Sequence, residues 1–199
     1  MSIQIQPAGD RAAIVEVPDN AAAVRLAQLL QSECDGLVDV VPGHCTVLAT
    51  WTGAPPDLRA FAESSLGGTA QPEGRLVEIA VRYDGPDLDE VAQLTGLSPE
   101  EVVARHTGAE TAVAFLGFQP GFAYLLGIDP RLVVPRRETP RTQVPGGSVA
   151  IAGPYSGVYP RESPGGWRLL GSTTATMFDA ARTPPALLGL GDRVRFVAA

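Results

Sequence analysis

The sequence contains no lysine, since all 15 of its basic residues are arginines. This absence excludes a P-loop lysine on a phosphate, a Schiff-base lysine and a lysine that carries covalent biotin. Any anion that the chain binds must therefore be held by arginine. A compositional bias that replaced surface lysines explains the same absence, and the excluded chemistries stay excluded in either case.

Cysteine is scarce and long apolar runs are missing. Only Cys34 and Cys45 occur, far from any cysteine–histidine cluster, so we expect ordinary buried thiols and neither a zinc site nor disulfides. No apolar run approaches the roughly 18 residues of a membrane helix, and no basic segment followed by an apolar one opens the chain. We therefore expect a cytoplasmic protein without membrane association. The net charge of -7 argues against binding to nucleic acid.

The first part of the chain has the pattern of a small α+β domain. With 199 residues, of which 45% are hydrophobic, the chain is long enough to bury a core. Strands are predicted over residues 3–6, 12–17, 37–41 and 46–51, and helices after the cap Asn20 and over residues 56–66. The glycine-rich stretch 67–74 is the predicted linker. The predicted domains are residues 1–70 and 75–199.

The second part of the chain has the pattern of a β-barrel or sandwich. A strand is predicted over residues 75–83, followed by two short helices with capping boxes at Asp87–Glu90 and Ser98–Glu101. Residues 117–171 contain ten glycines and eight prolines, which exclude long helices and favour short strands joined by tight turns. A last strand is predicted over residues 193–197.

Arginine is concentrated between residues 131 and 168, where six arginines face two glutamates, a local charge of +4. This cluster predicts a site for a carboxylate or a phosphate, because a guanidinium donates to two oxygens at once. Alternatively, the arginines pair with the acidic N-terminal domain or with another protein chain. Two glycine-paired turns, 145–148 and 163–167, are either anion-binding nests or plain turns.

His106 lies near the end of the second predicted helix. As a titrating group it is a candidate general base, although a histidine at this position also caps a helix C-terminus by interacting with its dipole.

Several motifs in fixed order resemble one family. They are Gly-Phe-Gln-Pro-Gly-Phe-Ala-Tyr-Leu at 117–125, Pro-Arg-Arg at 135–137, Pro-Arg at 140–141, and the stretches 144–153, 157–160 and 163–167. They resemble the family of 5-oxoprolinase B subunits, also known as the allophanate hydrolase subunit 1 family or as the sporulation kinase A inhibitor family. The resemblance extends over nearly the whole chain.

The resemblance implies a small N-terminal α+β domain followed by a cyclophilin-like β-barrel domain. It implies an enzyme component that works with a homologous C subunit and with an A subunit of 5-oxoprolinase, and that uses ATP, with Mg²⁺, to open the lactam of 5-oxo-L-proline to L-glutamate. Two alternatives remain: a non-catalytic inhibitor that binds a sensor histidine kinase, and a component that processes allophanate or urea-derived carboxyamides. The cyclophilin-like fold does not carry prolyl isomerase activity, because fold alone does not determine function.

The resemblance also assigns roles to individual residues. His106 is expected to act as acid or base. Gln119 and Ser148 are expected to make polar contacts with a small anionic substrate, and Arg136, Arg141 and Arg161 to bind its negative charge.

Overall fold

The computed structural model describes residues 3–67 and 74–199, and the chain divides into two compact units, Met1–Glu73 and Gly74–Ala199. Most of the predicted linker, residues 68–73, lies outside the described residues.

Over residues 3–67, the first unit is a four-stranded antiparallel sheet with two helices. Its elements are β1 (Gln4–Pro7), β2 (Ala12–Glu16), α1 (Asn20–Glu33), β3 (Leu37–Pro42), β4 (Thr46–Trp51) and α2 (Leu58–Gly67), and the strand order is β1-β2-β4-β3. Helix α1 buries an alanine- and leucine-rich face against β3, β4 and α2. The N-cap of α1 is Asp19, whose carboxylate accepts from Ala22 N at 2.8 Å, so the prediction of Asn20 as the cap was wrong by one residue.

The second unit contains nine strands and two helices in its described residues. Its elements are β5 (Leu76–Val81), α3 (Leu88–Thr95), α4 (Pro99–Gly108), β6 (Glu110–Leu116), β7 (Ala123–Leu126), a 3₁₀ turn (Pro130–Leu132), β8 (Arg141–Val144), β9 (Ser148–Ala152), β10 (Tyr155–Val158), β11 (Ser163–Gly165), β12 (Arg168–Ser172) and β13 (Arg193–Ala198). The glycine- and proline-rich stretch 117–171 forms short strands and one 3₁₀ turn, as its composition predicted.

Seven of these strands form one strongly curved sheet in the order β12-β9-β10-β7-β6-β13-β5. Strands β13 and β5 pair in parallel, and the other described neighbours in this sheet pair antiparallel. The two edges of the sheet meet where Arg82, directly after β5, exchanges two backbone hydrogen bonds of 2.9 and 2.8 Å with Ser172 at the end of β12. The sheet is thereby a nearly closed barrel. The predicted fold class, a small α+β unit followed by a cyclophilin-like β-barrel, is confirmed.

The two predicted capping boxes have different outcomes. Ser98 and Glu101 form the reciprocal box at the start of α4, as predicted. At the start of α3 the Asp87 side chain makes no cap hydrogen bond, so the capping box predicted there was wrong. The Asp87 carboxylate is occupied elsewhere, by arginines from a distant part of the chain.

Both cysteines are unpaired thiols, as expected, but they are partly exposed and not buried.

Candidate functional site

A cavity with aromatic walls lies in the second unit and has a volume of about 160 Å³. Its lining comes from the 117–125 motif, the end of β10 and the 163–167 turn, and consists of Phe118, Phe122, Tyr124, Arg136, Tyr159, Pro164, Gly165, Gly166 and Trp167. The Phe122 ring stands nearly perpendicular to Phe118 and to Trp167, each with a centroid separation of 5.4 Å. Such edge-to-face packing holds the walls in fixed positions. These three segments therefore meet, together with Arg136, around one small cavity that is walled mainly by aromatic rings.

Arg136 is the one charged side chain among the described residues that line this cavity. A Cβ atom added to Gly166 would lie 3.5 Å from Arg136 Nη2, which places the guanidinium directly over the 163–167 turn. Burial raises the pKa of Tyr124 and of Tyr159, and the positive charge of Arg136 acts on both phenols in the opposite direction. Within the described part of the chain the guanidinium forms no ion pair or hydrogen bond. Arg136 therefore presents its positive charge to the cavity without an internal counterion.

The cavity depends on a glycine at one point. A Cβ atom at Gly165 would collide with the hydroxyl and ring of Tyr159. Only glycine allows strand β11 to pass this close to the phenol. Gly165 thus has a packing reason to be glycine, and the 163–167 turn forms one wall of the cavity.

Other arginines of the 131–168 cluster are paired within their own unit. Asp87 Oδ1 accepts from Arg137 Nη1 at 3.0 Å and from Arg141 Nη2 at 2.6 Å. Glu90 Oε2 lies 3.1 Å from Arg137 Nη1 and 2.6 Å from Arg168 Nη1. The sequence left open an anion site or pairing with another domain or protein chain. The structure shows a third arrangement for these three arginines, in which two carboxylates of α3 and its N-cap neutralise most of their charge.

Arg136 also lines a second cavity of about 500 Å³, together with Glu90, Arg137 and Arg168. This cavity is lined by both signs of charge, because Glu90 and Glu138 border it as well. The aromatic cavity therefore remains the site where a positive charge faces an apolar surface.

Gln119 and Arg161, two further predicted site residues, lie together. Arg161 Nε donates to Gln119 Oε1 at 3.1 Å, and Gln119 Nε2 is buried without a hydrogen-bond partner in the described part of the chain. Gln119 directly follows Phe118, so this pair lies beside one wall of the aromatic cavity. It does not line the cavity itself.

Ser148 begins β9 and is 6% exposed. The turn that precedes it has its amides engaged internally, since Gly147 N donates to Tyr159 O at 2.7 Å and Ser148 N donates to Pro145 O at 3.3 Å. These two amides are not directed at a ligand, which favours the interpretation of 145–148 as a plain turn.

His106 lies in the barrel interior and is 1% exposed. Its Nδ1 is 2.7 Å from the Tyr83 hydroxyl, its Nε2 is 2.8 Å from Ser156 Oγ, and its ring stacks on Phe196 at 4.4 Å. Burial lowers its pKa to about 3, so the ring is neutral at physiological pH. These surroundings favour a structural role, and the catalytic role of His106 stays a prediction.

Of the six predicted site residues, Arg136 lines the aromatic cavity, and Gln119 and Arg161 form a hydrogen-bonded pair beside it. Arg141 donates to Asp87. His106 and Ser148 are buried and do not line the cavity. Sequence reasoning missed Asp87, because the Asp87–Glu90 spacing matches a capping box. It also assigned no role to the aromatic residues of the cavity, because aromatic side chains are usually buried for packing.

The described residues contain no cluster of three or more histidine, cysteine, aspartate or glutamate side chains arranged to hold a metal ion. None of the described helices is long and apolar enough to cross a membrane.

Comparison with known proteins identifies relatives of the whole chain. A family model for the carboxyltransferase domain, subdomains C and D, matches residues 3–188. The B subunit of 5-oxoprolinase from Escherichia coli O157:H7 is 53% identical, over 87% of this chain and 83% of that protein.

Several solved structures are similar to this chain. TTHA0988 superposes with a TM-score of 0.82 at 39% identity over 96% of this chain, which spans 40% of the TTHA0988 chain. Urea amidolyase from Kluyveromyces lactis superposes with a TM-score of 0.78 at 21% identity over 99% of this chain and 15% of its own, which shows a shared fold alone. With the family model and the bacterial relative in agreement, this chain belongs to the family of 5-oxoprolinase B subunits.

Proposed function

We propose that this chain is the B subunit of an ATP-dependent 5-oxoprolinase. Together with the A and C subunits it couples ATP hydrolysis to opening of the lactam of 5-oxo-L-proline, giving L-glutamate. Support comes from the 53% identity to a protein named as this component. The observation that carries the proposal is the cavity of about 160 Å³, in which Arg136 faces aromatic walls without an internal counterion.

The cavity suits a small ring that bears one carboxylate. A guanidinium binds a carboxylate through two parallel hydrogen bonds, and Arg136 supplies that fork. Phe122, Tyr124 and Trp167 supply apolar faces for the flat ring of the lactam. The proposed role of this chain is therefore to hold the substrate by its carboxylate with the lactam bond fixed in orientation.

The reaction needs activation because an amide carbonyl is a poor electrophile. When ATP is bound in the assembly, transfer of its terminal phosphoryl group to the lactam oxygen would release ADP and make the carbonyl carbon more electrophilic. One water would add to that carbon and the carbon–nitrogen bond would break, leaving an amine and an acyl phosphate on the same molecule. A second water would release inorganic phosphate and leave the carboxylate. We assign no step of ATP chemistry to the residues of this chain. Their part is to bind and orient the substrate and to exclude water from its ring.

The test is reconstitution with the A and C subunits. We expect glutamate formation and 5-oxo-L-proline-dependent ATP hydrolysis only when this chain is present. Arg136→Met should raise KM for 5-oxo-L-proline by about 10- to 100-fold, because loss of a charge-assisted hydrogen bond costs about 1.5–3 kcal/mol.

Arg131→Met is the matched control, since Arg131 is an exposed arginine of the same unit outside the cavity. It should leave KM unchanged. Absence of substrate-dependent turnover in every mixture would overturn the assigned activity. An unchanged KM in Arg136→Met would overturn the assigned site and leave the role in the complex intact.

A further inference from the structure

The segment 135–141 carries three arginines with different partners. Arg137 and Arg141 both donate to Asp87 Oδ1, at 3.0 and 2.6 Å. Arg136 directly precedes Arg137 in sequence, and its guanidinium has no partner among the described residues. Two arginines are thus tied to one carboxylate, and the third is left to face the aromatic cavity.

The backbone of the same segment is held on both sides of Arg136. Arg168 Nε donates to Pro135 O at 3.0 Å, directly before it. Arg137 N donates to Gly166 O at 2.8 Å, directly after it. The backbone on either side of Arg136 is therefore bound to the 163–167 turn and to Arg168, which directly follows that turn.

Asp87 is itself rigidly placed. It is 2% exposed, its Oδ2 accepts from Leu169 N at 2.7 Å, and its own N donates to Leu169 O at 3.1 Å. A residue that is bound to β12 by two hydrogen bonds and to two guanidiniums at once has little freedom to move. Asp87 thus joins the N-terminus of α3, strand β12 and the arginine segment.

We infer that Asp87 is a positioning residue for Arg136, acting through Arg137 and Arg141 to hold the 135–141 segment against the aromatic cavity. The inference rests on the proposed function for the identity of the substrate, but not for the geometry. Arg136 binds the anion. Arg141, which the sequence also predicts to bind it, acts instead as a strut, which here means a side chain that ties the 135–141 segment to Asp87.

Electrostatics and positioning make opposite predictions for Asp87→Asn. Removal of a negative charge near Arg136 makes the site more positive and, on charge alone, tightens the binding of an anion. Loss of the strut frees the segment and weakens the binding, because a displaced guanidinium no longer matches the carboxylate. The sign of the effect therefore distinguishes the two.

The first experiment is a double-mutant cycle in the reconstituted complex. Asp87→Asn should raise KM for 5-oxo-L-proline by about tenfold with a smaller change in kcat, as loss of a supporting residue commonly does. In an Arg136→Met background the same change should leave KM unaltered, because Asp87 acts through Arg136. Asp89→Asn, the same change two residues away on an exposed side chain, is the control and should leave KM unchanged.

Arg141→Lys is the second variant, in case Asp87→Asn does not fold. It keeps the charge but loses the guanidinium fork, and it should raise KM in the same direction, again only when Arg136 is present. Equal effects of either variant with and without Arg136 would show a purely structural role and overturn the inference.

A second experiment needs neither substrate nor the other components of the complex. In a Trp51→Phe protein, Trp167 in the cavity wall is the remaining tryptophan. Iodide, an anionic quencher, should quench Trp167 less by about twofold in Arg136→Met and in Asp87→Asn, at constant ionic strength. Quenching by neutral acrylamide, the control for general exposure, should change little.

Stronger iodide quenching in Asp87→Asn would show that Asp87 affects the cavity through its negative charge and not by positioning Arg136. That result would overturn the inference. If iodide responds as expected while the complex shows no turnover, the proposed function fails and the positioning role stands.

Discussion

Tyr83 and His106 are joined inside the barrel by a hydrogen bond of 2.7 Å between the phenol oxygen and Nδ1. The last hydrogen bond of this network determines which atoms carry the protons. Ser156 Oγ donates to Ala150 O at 3.2 Å, so it accepts from Nε2–H, and Nδ1 accepts from the Tyr83 hydroxyl. The imidazole is therefore neutral with both nitrogens occupied, and the network is complete without a charge.

This burial predicts a pH-dependent stability. The pKa of His106 is about 3 in the folded protein, below its ordinary value of 6.5. An unfolded chain binds a proton as the pH falls through 6.5, whereas the folded chain binds it only near pH 3. The contribution to stability is fully present above pH 6.5 and is lost towards pH 3, by up to about 1.4 kcal/mol per pH unit.

Denaturant unfolding at several pH values between about 7 and 4 measures this slope. His106→Gln should flatten it relative to the unchanged protein, whereas His44→Gln, on an exposed histidine, should leave it as it is. Carboxylates contribute equally to all three proteins, so the difference between the variants isolates His106. Identical slopes in all three would contradict the prediction.

The same His106→Gln variant tests the catalytic role expected from the sequence. Because the ring is enclosed in the barrel, we expect kcat in the reconstituted complex, corrected for folded fraction, to change by less than about threefold. General acid–base catalysis contributes about 10²- to 10⁴-fold. A loss of that size in a folded variant would restore His106 as the acid or base.

Substitution of Asp87 should lower the free energy of unfolding much more than substitution of Glu90. Asp87→Ala leaves Arg137 and Arg141 without their shared buried carboxylate and should lower the free energy of unfolding by about 3 kcal/mol. The Glu90 side chain is 44% exposed, and Glu90→Ala should cost about 1 kcal/mol or less. Thermal or denaturant unfolding of the two variants compares them directly, and equal losses would contradict the difference in burial.

Phe118, in the cavity wall, has a strained backbone conformation and an exposed side chain. It is the one non-glycine residue among those described with a positive φ, 66°, and it is 60% exposed. Phe118→Asn suits the left-handed backbone, so relief of strain should offset the lost ring contacts and keep the stability within about 1 kcal/mol. KM for 5-oxo-L-proline should rise, because the cavity loses one wall.

Phe122→Ala is the contrasting variant in the same wall. Phe122 is 2% exposed, and its truncation should cost about 3–5 kcal/mol of unfolding free energy. A large loss of stability in Phe118→Asn would show that the ring stabilises the fold and does not merely shape the cavity.

Much of the fold was predictable because its signals are local. The Ser98–Glu101 box, the strand pattern of residues 75–83 and the glycine and proline density of 117–171 each act within a few residues. Closure of the barrel was not visible in this way, because Arg82 and Ser172 meet across 90 positions of sequence.

For the candidate site, the sequence indicates the concentration of positive charge but not the arrangement of the arginines. The +4 cluster pointed to an anion site, but a count of charges cannot separate Arg136 from Arg137 and Arg141. That separation depends on Asp87, whose carboxylate comes from a distant helix terminus. A local capping pattern explained Asp87 equally well, so tertiary structure alone decided between the two roles.

Closure of the barrel between Arg82 and Ser172 has a consequence for the order of folding. After Arg82 the chain runs alongside β12. Gly85 N donates to Leu170 O at 3.0 Å, and Asp87 then lies beside Leu169. The pairing that seals the barrel is therefore continuous with the long-range contact that places the Asp87 carboxylate beside Arg137 and Arg141. Such contacts form late because their loop-closure entropy is high. A barrel with an open seam would leave Arg137 and Arg141 without the Asp87 carboxylate, so we expect the proposed site around Arg136 to form only in molecules whose barrel has closed.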